Sequence, residues 1–332
     1  MQLRDFGRTG LKISALGFGC GAVGGIMVRG DPTDQERVVA RAIAAGVNYF
    51  DTAVLYGDGE SEKNLGRILQ KLKPADVIVG TKVRLNPNES GRIADAIATS
   101  LEGSLTRLRL DRVDIFHLHN PITETGGGTT LSARQVLDEV VPAFQRLRQE
   151  GKIRFLGISA VGDTAALHQV IDAGIFDSAQ VVYNMLNPSA GEALPQHYPA
   201  QDYARLFDRT KAMGVGVVGI RVLAGGALSG LSERHPIASP APEPIGSAMR
   251  YEADIERARR LMPLVNEGFA GNLTEAATRF ALSHPAMGTI LVGMATSQQF
   301  EDALAAVEKG PLSQAALDRL AALQKTFSGE SR

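Results

Sequence analysis

The chain has 332 residues, and its 35 Lys+Arg against 36 Asp+Glu leave a formal charge of -1. At about 150 residues per domain that length allows two domains or one large barrel, and the balanced charge excludes a dedicated nucleic-acid binder or a surface built for anionic membranes. One cysteine, Cys20, excludes an internal disulfide and any multi-cysteine metal cluster.

The chain starts Met1-Gln2-Leu3-Arg4 with no apolar core behind the basic residue, and no run of about 18 apolar residues occurs, so a soluble, cytoplasmic protein is expected. Residues 2–6 and 11–14, around Gly7-Arg8-Thr9-Gly10, predict a β-hairpin. Short β-branched runs then predict strands at 15–19, 48–52, 77–82, 113–119, 155–159, 179–183, 215–220 and 289–293. Between them the helical period predicts helices at 34–45, 60–72, 92–108, 132–150, 164–173, 203–213, 254–267 with 273–283, and 297–308, followed by a tail helix at 314–326. Parallel neighbours need crossover connections, so strict alternation implies a parallel sheet, and eight units close a barrel. The expected fold is α/β, a (β/α)8 TIM barrel with an N-terminal β-hairpin and an extra C-terminal helix, in one domain over 1–332.

Glycine is abundant, 36 residues. Gly46, Gly151, Gly174 and Gly214 each follow a helical pattern and are expected to take the left-handed C-terminal position. Long loops at 120–131, 187–201 and 224–250 each follow a strand and are expected at the C-terminal face, where barrel active sites lie.

Four chemically active side chains fall at strand ends on that face: Asp51, Tyr56 in the following loop, Lys82 and His119. Singly, each has an ordinary explanation as an ion pair, a packed ring or a satisfied histidine. Together they fit one reaction. A neighbouring cation, Lys82, stabilises phenolate and lowers the Tyr56 pKa, Asp51 holds Lys82 charged, and His119 bonds the same oxygen that Tyr56 protonates. Such a donor pair polarises a carbonyl while hydride comes from a cofactor.

The stretches Asn48-Tyr49-Phe50-Asp51-Thr52-Ala53, Tyr56-Gly57, Ser61-Glu62, Thr81-Lys82, Val113-Asp114-Ile115 through His119, Gly157-Ile158-Ser159, Gln180-Val181-Val182-Tyr183-Asn184 and Val292-Gly293 resemble the aldo-keto reductase family, in order and over almost the whole chain. The resemblance implies a catalytic tetrad of Asp51, Tyr56, Lys82 and His119. It implies cofactor contacts from Gly19, Cys20 and Gly21, from Asp51 to the ribose, and from Ser159 and Gln180 to the nicotinamide carboxamide. A pyrophosphate-covering loop would contribute Ile220, Arg221, Val222, Leu223, Gly226 and Leu228, and the segment after the last strand Gly293, Thr296, Gln299 and Asp302. The partner is then a small carbonyl or sugar substrate, with NAD or NADP as cofactor.

The chain departs from the family pattern at Ala160, where an Asn often follows the serine, and at Ile220 and Arg221, where a ring commonly stacks on the nicotinamide. No cation lies between Gly293 and Ala306, where guanidinium would suit a 2′-phosphate, and this tips the expectation to NAD. Residues 291–294 with His117-Leu118-His119 resemble the sugar dehydrogenase (L-galactose-type) branch. His117 and His119 share a strand face, as in metal-dependent barrel hydrolases, but the other histidines lie in helices or loops, so no metal is expected. Two alternatives stand beside the oxidoreductase: a non-catalytic nucleotide-binding regulatory subunit of the same fold, and that hydrolase.

Overall fold

The computed structural model describes residues 1–86, 89 and 91–329. The strands β1 (Leu16–Gly19), β2 (Tyr49–Asp51), β3 (Ile78–Val83), β4 (Val113–Leu118), β5 (Ile153–Ala160), β6 (Ser178–Val182), β7 (Gly216–Ile220) and β8 (Met287–Gly293) form one closed barrel. Every pairing is parallel between sequence neighbours, and β8 returns to β1 with Ile290 opposite Leu16 and Gly293 opposite Gly19. All eight predicted strands are present.

The surrounding helices are α1 (Pro32–Ala44), α2 (Glu60–Leu72), α3 (Ile93–Leu108), α4 in three pieces (Ala133–Gln135, Val136–Val140, Val141–Gln149), α5 (Thr164–Asp172), α6 (Leu206–Ala212), α7 (Leu273–Ser283) and α8 (Ser297–Glu308), followed by the tail helix Gln314–Gln324. α1 starts two residues before the predicted position because Asp31 accepts from the Thr33 N–H and Pro32 opens the first turn. The predicted helix at 132–150 contains a π-helical turn at Val136–Val140, ahead of Pro142, which has no N–H to offer the carbonyl four residues back. The predicted helix at 254–267 is two segments, Tyr251–Arg259 and Pro263–Asn266, with Pro263 opening the second. Gly46, Gly151, Gly174 and Gly214 all have positive φ, as expected at helix ends. Among the described residues no helix is long and apolar enough to cross a membrane.

The hairpin strands Leu3–Asp5 and Lys12–Ser14 pair antiparallel and close the N-terminal end of the barrel. The Phe6 ring is fully buried, and a Cβ on Gly216 or Gly288 would meet it at 2.8 Å. Higher in the barrel the Tyr49 ring occupies the room that Gly17 and Gly80 leave free on the flanking strands; a Cβ there would lie 2.9 and 2.7 Å from it. Gly157 does the same for His117, at 2.3 Å. Part of the glycine excess therefore sits inside strands, where it admits polar rings beneath the strand ends.

Candidate active site

Asp51 ends β2, Lys82 lies one residue before the end of β3, and His119 follows β4, so the parallel register brings all three to one rim. The turn after β2 carries Tyr56 back to them, its N–H donating to the Ala53 carbonyl at 3.0 Å. Lys82 is completely buried and spends its three protons on three oxygens: Asp51 Oδ2 at 2.5 Å, the Thr52 carbonyl at 2.8 Å and Tyr56 Oη at 3.2 Å. Asp51 Oδ1 accepts from Tyr49 Oη at 3.0 Å and from Gln180 Nε2 at 2.5 Å. The Tyr56 and His119 rings meet edge-on with centroids 5.9 Å apart.

Burial alone would lower the Lys82 pKa, but Asp51 and Tyr56 outweigh it and the ammonium is held charged, above its ordinary range. Burial raises the Tyr56 phenol; Lys82 and Arg221 pull it down without cancelling that effect. The expected lowering by Lys82 is thus present but is not the larger influence, and Tyr56 is a protonated phenol at neutral pH. His119 is pushed down to about 3 by burial and by the charges of Lys82 and Arg84, so its imidazole is neutral. His117 is pushed well below its usual value by burial, and its Nε2 lies 3.1 Å from Ser178 Oγ.

Around this centre, a Cβ on Gly21 would sit 3.8 Å from the Tyr56 ring, and the Cys20 N–H donates to the Asp51 carbonyl at 2.9 Å. The Cys20 thiol is buried, which raises its pKa. Ser61 Oγ donates to the Cys20 carbonyl, and the buried Glu62 accepts from Thr81 Oγ1 and Arg107 Nε, tying α2 to β3 and α3.

A model of the Aldo/keto reductase family matches residues 15–325. This chain belongs to the aldo/keto reductase family. Reductases of this family are NAD(P)H-dependent oxidoreductases. L-galactose dehydrogenase of Arabidopsis thaliana is 32% identical over 315 residues, covering 92% of this chain and 88% of the relative. A probable voltage-gated potassium channel subunit beta of the same plant is 24% identical, with 94% and 93% covered. Among solved structures, the holo form of an aldo-keto reductase from Bacillus halodurans superposes with a TM-score of 0.73 at 27% identity, over 99% of this chain and 98% of that one.

In this chain the remaining expected cofactor residues lie on β5–β8, in the loop after β7 and at the start of α8. Ser159 Oγ is buried and, among the described residues, has no hydrogen-bond partner, an orphaned hydroxyl at the rim that suits a ligand amide. Val222 and Leu228 are fully buried, and Gly225 and Gly226 have positive φ. Thr296 caps α8 through the Gln299 N–H, Gln299 Oε1 accepts from the Ala295 N–H, and Asp302 accepts from Gln298.

Three features escaped the sequence reading. Tyr49 was given no role, yet its phenol anchors Asp51. Cations reach α8 from α1: Arg37 Nη2 lies 3.5 Å from Ser297 Oγ, and Arg41 pairs with Glu301 at 2.8 Å. Finally, the 224–250 loop is strapped across the C-terminal face. Arg234 donates to the carbonyls of Gly225, Ser239 and Val23, and Arg29 to those of Ile237 and Ala22, joining the segments after β7 and β1 on either side of β8. The arginines were visible in the sequence; their carbonyl partners depend on the folded loop.

Proposed function

We propose that this chain is an NAD(P)(H)-dependent oxidoreductase that interconverts an aldehyde, ketone or sugar hemiacetal with the corresponding alcohol or lactone. The observation that carries this is the three-way engagement of buried Lys82 with Asp51, Thr52 and Tyr56. A bound nicotinamide supplies or accepts the hydride. Tyr56 Oη gives its proton to the carbonyl oxygen in reduction and takes one from the hydroxyl in oxidation. Lys82 stabilises the phenolate left behind, Asp51 keeps Lys82 charged, and the neutral His119 directs an N–H at the same oxygen.

Ser159 and Gln180 would hold the carboxamide, with Gln180 Nε2 committed to Asp51 and its Oε1 left to accept. Asp51 would touch the ribose, Gly19, Cys20 and Gly21 would lie beside the ring, and the strapped loop from Ile220 to Leu228 would cover the pyrophosphate. Gly293, Thr296, Gln299 and Asp302 would bound the adenosine. Two features favour NAD(H): the absence of a cation from 293–306, and the engagement of Arg37 with Asp34 and of Arg41 with Glu301. The likeness to L-galactose dehydrogenase supports a sugar among the substrates.

A panel of carbonyls and sugars with both nucleotides tests this reading, alongside NADH and NADPH dissociation constants. Turnover is expected, with NADH bound more tightly. Nucleotide binding without turnover of any substrate would favour the regulatory-subunit reading, and a preference for NADPH of about tenfold, worth about 1.4 kcal/mol, would overturn the cofactor assignment.

A further inference from the structure

Beside the tetrad stands a cation that the proposed chemistry leaves unused. Residues i and i+2 share a strand face, so Arg84, one residue past β3, continues the inward row of Gly80 and Lys82. Its backbone is fixed on both sides. The His119 N–H donates to the Val83 carbonyl at 2.7 Å, and the Asn120 side chain clamps Leu85, accepting from its N–H and donating to its carbonyl, each at 2.8 Å. Asn120 is itself buried and also donates to the Thr129 carbonyl.

Arg84 is half-buried and close enough to His119 for its charge to bear on that ring. Among the described residues its side chain forms no ion pair and no hydrogen bond. Other arginines on this face are occupied: Arg221 donates to the Glu243 carbonyl, Arg234 has four acceptors and Arg29 has two. The carboxylate nearest in sequence, Glu89, accepts from the Asn86 N–H instead. A half-buried guanidinium without a counter-charge is costly unless a ligand supplies one.

The barrel order decides which ligand. Apart from Asp51 on β2, the residues proposed to hold the nicotinamide nucleotide lie on or after β1 and β5–β8, whereas Arg84 lies between β3 and β4, on the opposite arc and beside His119. Resting on the oxidoreductase reading, we infer that Arg84 selects carbonyl substrates carrying an anionic group, a carboxylate or a phosphate, placed beyond the carbonyl on the β3–β4 side. The planar guanidinium fork suits both.

The test compares three aldehydes of matched length, one neutral, one ending in a carboxylate and one in a phosphate, with wild type, Arg84→Gln and Arg84→Lys. Wild type is expected to favour at least one anionic aldehyde about tenfold in kcat/KM, chiefly through KM, and the preference should shrink as salt is raised. Arg84→Gln should remove most of that preference, and Arg84→Lys should retain part of it. A merely structural role for Arg84 would leave the charge preference unmoved. The inference fails if wild type uses the neutral aldehyde as well as both anionic ones, or if the preference survives in Arg84→Gln. Should that variant not fold, the wild-type contrast and its salt dependence decide. If the protein binds nucleotide yet turns over none of the three or any other carbonyl, the oxidoreductase reading itself falls.

Discussion

Tyr56→Phe is expected to lose turnover by about 10²–10⁴-fold, the usual contribution of a positioned acid or base, while nucleotide affinity stays close to wild type. The substitution removes one oxygen. The ring keeps its place against Lys82, whose Nζ lies 4.8 Å from the centroid, and its edge-on contact with His119. Lys82 keeps Asp51 Oδ2 and the Thr52 carbonyl and loses only its longest bond, the one at 3.2 Å. Steady-state kinetics beside a nucleotide titration separates the two effects, and unchanged kcat would remove Tyr56 from the acid's role.

Lys82→Met should be among the most destabilising single changes, and also inactive. It leaves the Asp51 carboxylate, 2% exposed, with two neutral donors and no cation. Breaking a buried pair from one side costs about 3–5 kcal/mol, because the remaining charge is neither solvated nor compensated. Adding Asp51→Asn should restore much of the loss, since removing both charges is far cheaper than removing one. Denaturation midpoints for the two single variants and the double variant check this. A double variant less stable than Lys82→Met would show that shape, not charge, holds the pair.

How much of this was legible in one dimension follows from the physics of each feature. The barrel strands were readable because each is an apolar run bounded by helical periodicity. Asp51, Lys82 and His119 were readable because strand ends share a face of a parallel barrel. Tyr49 was not, since an aromatic residue in a strand signals packing, and its phenol reaches Asp51 only through space vacated by Gly17 and Gly80 on other strands. Arg37 and Arg41 were missed for a similar reason: the segment after β8 lacks cations, but the neighbouring helix α1 brings them to it. The protonation of Tyr56 depends on how much burial opposes Lys82, and burial is a property of the fold.

The central claim is that a protonated Tyr56, and not a histidine, gives the proton. It is tested most directly by the pH dependence of kcat/KM for reduction, measured between pH 5 and 11. With His119 pushed down to about 3 and the phenol raised above its ordinary range, the profile should be flat through neutrality and fall only at alkaline pH. Loss of reduction through an ionisation near pH 6.5 that persists in Tyr56→Phe would contradict it, and would place the acid on an imidazole.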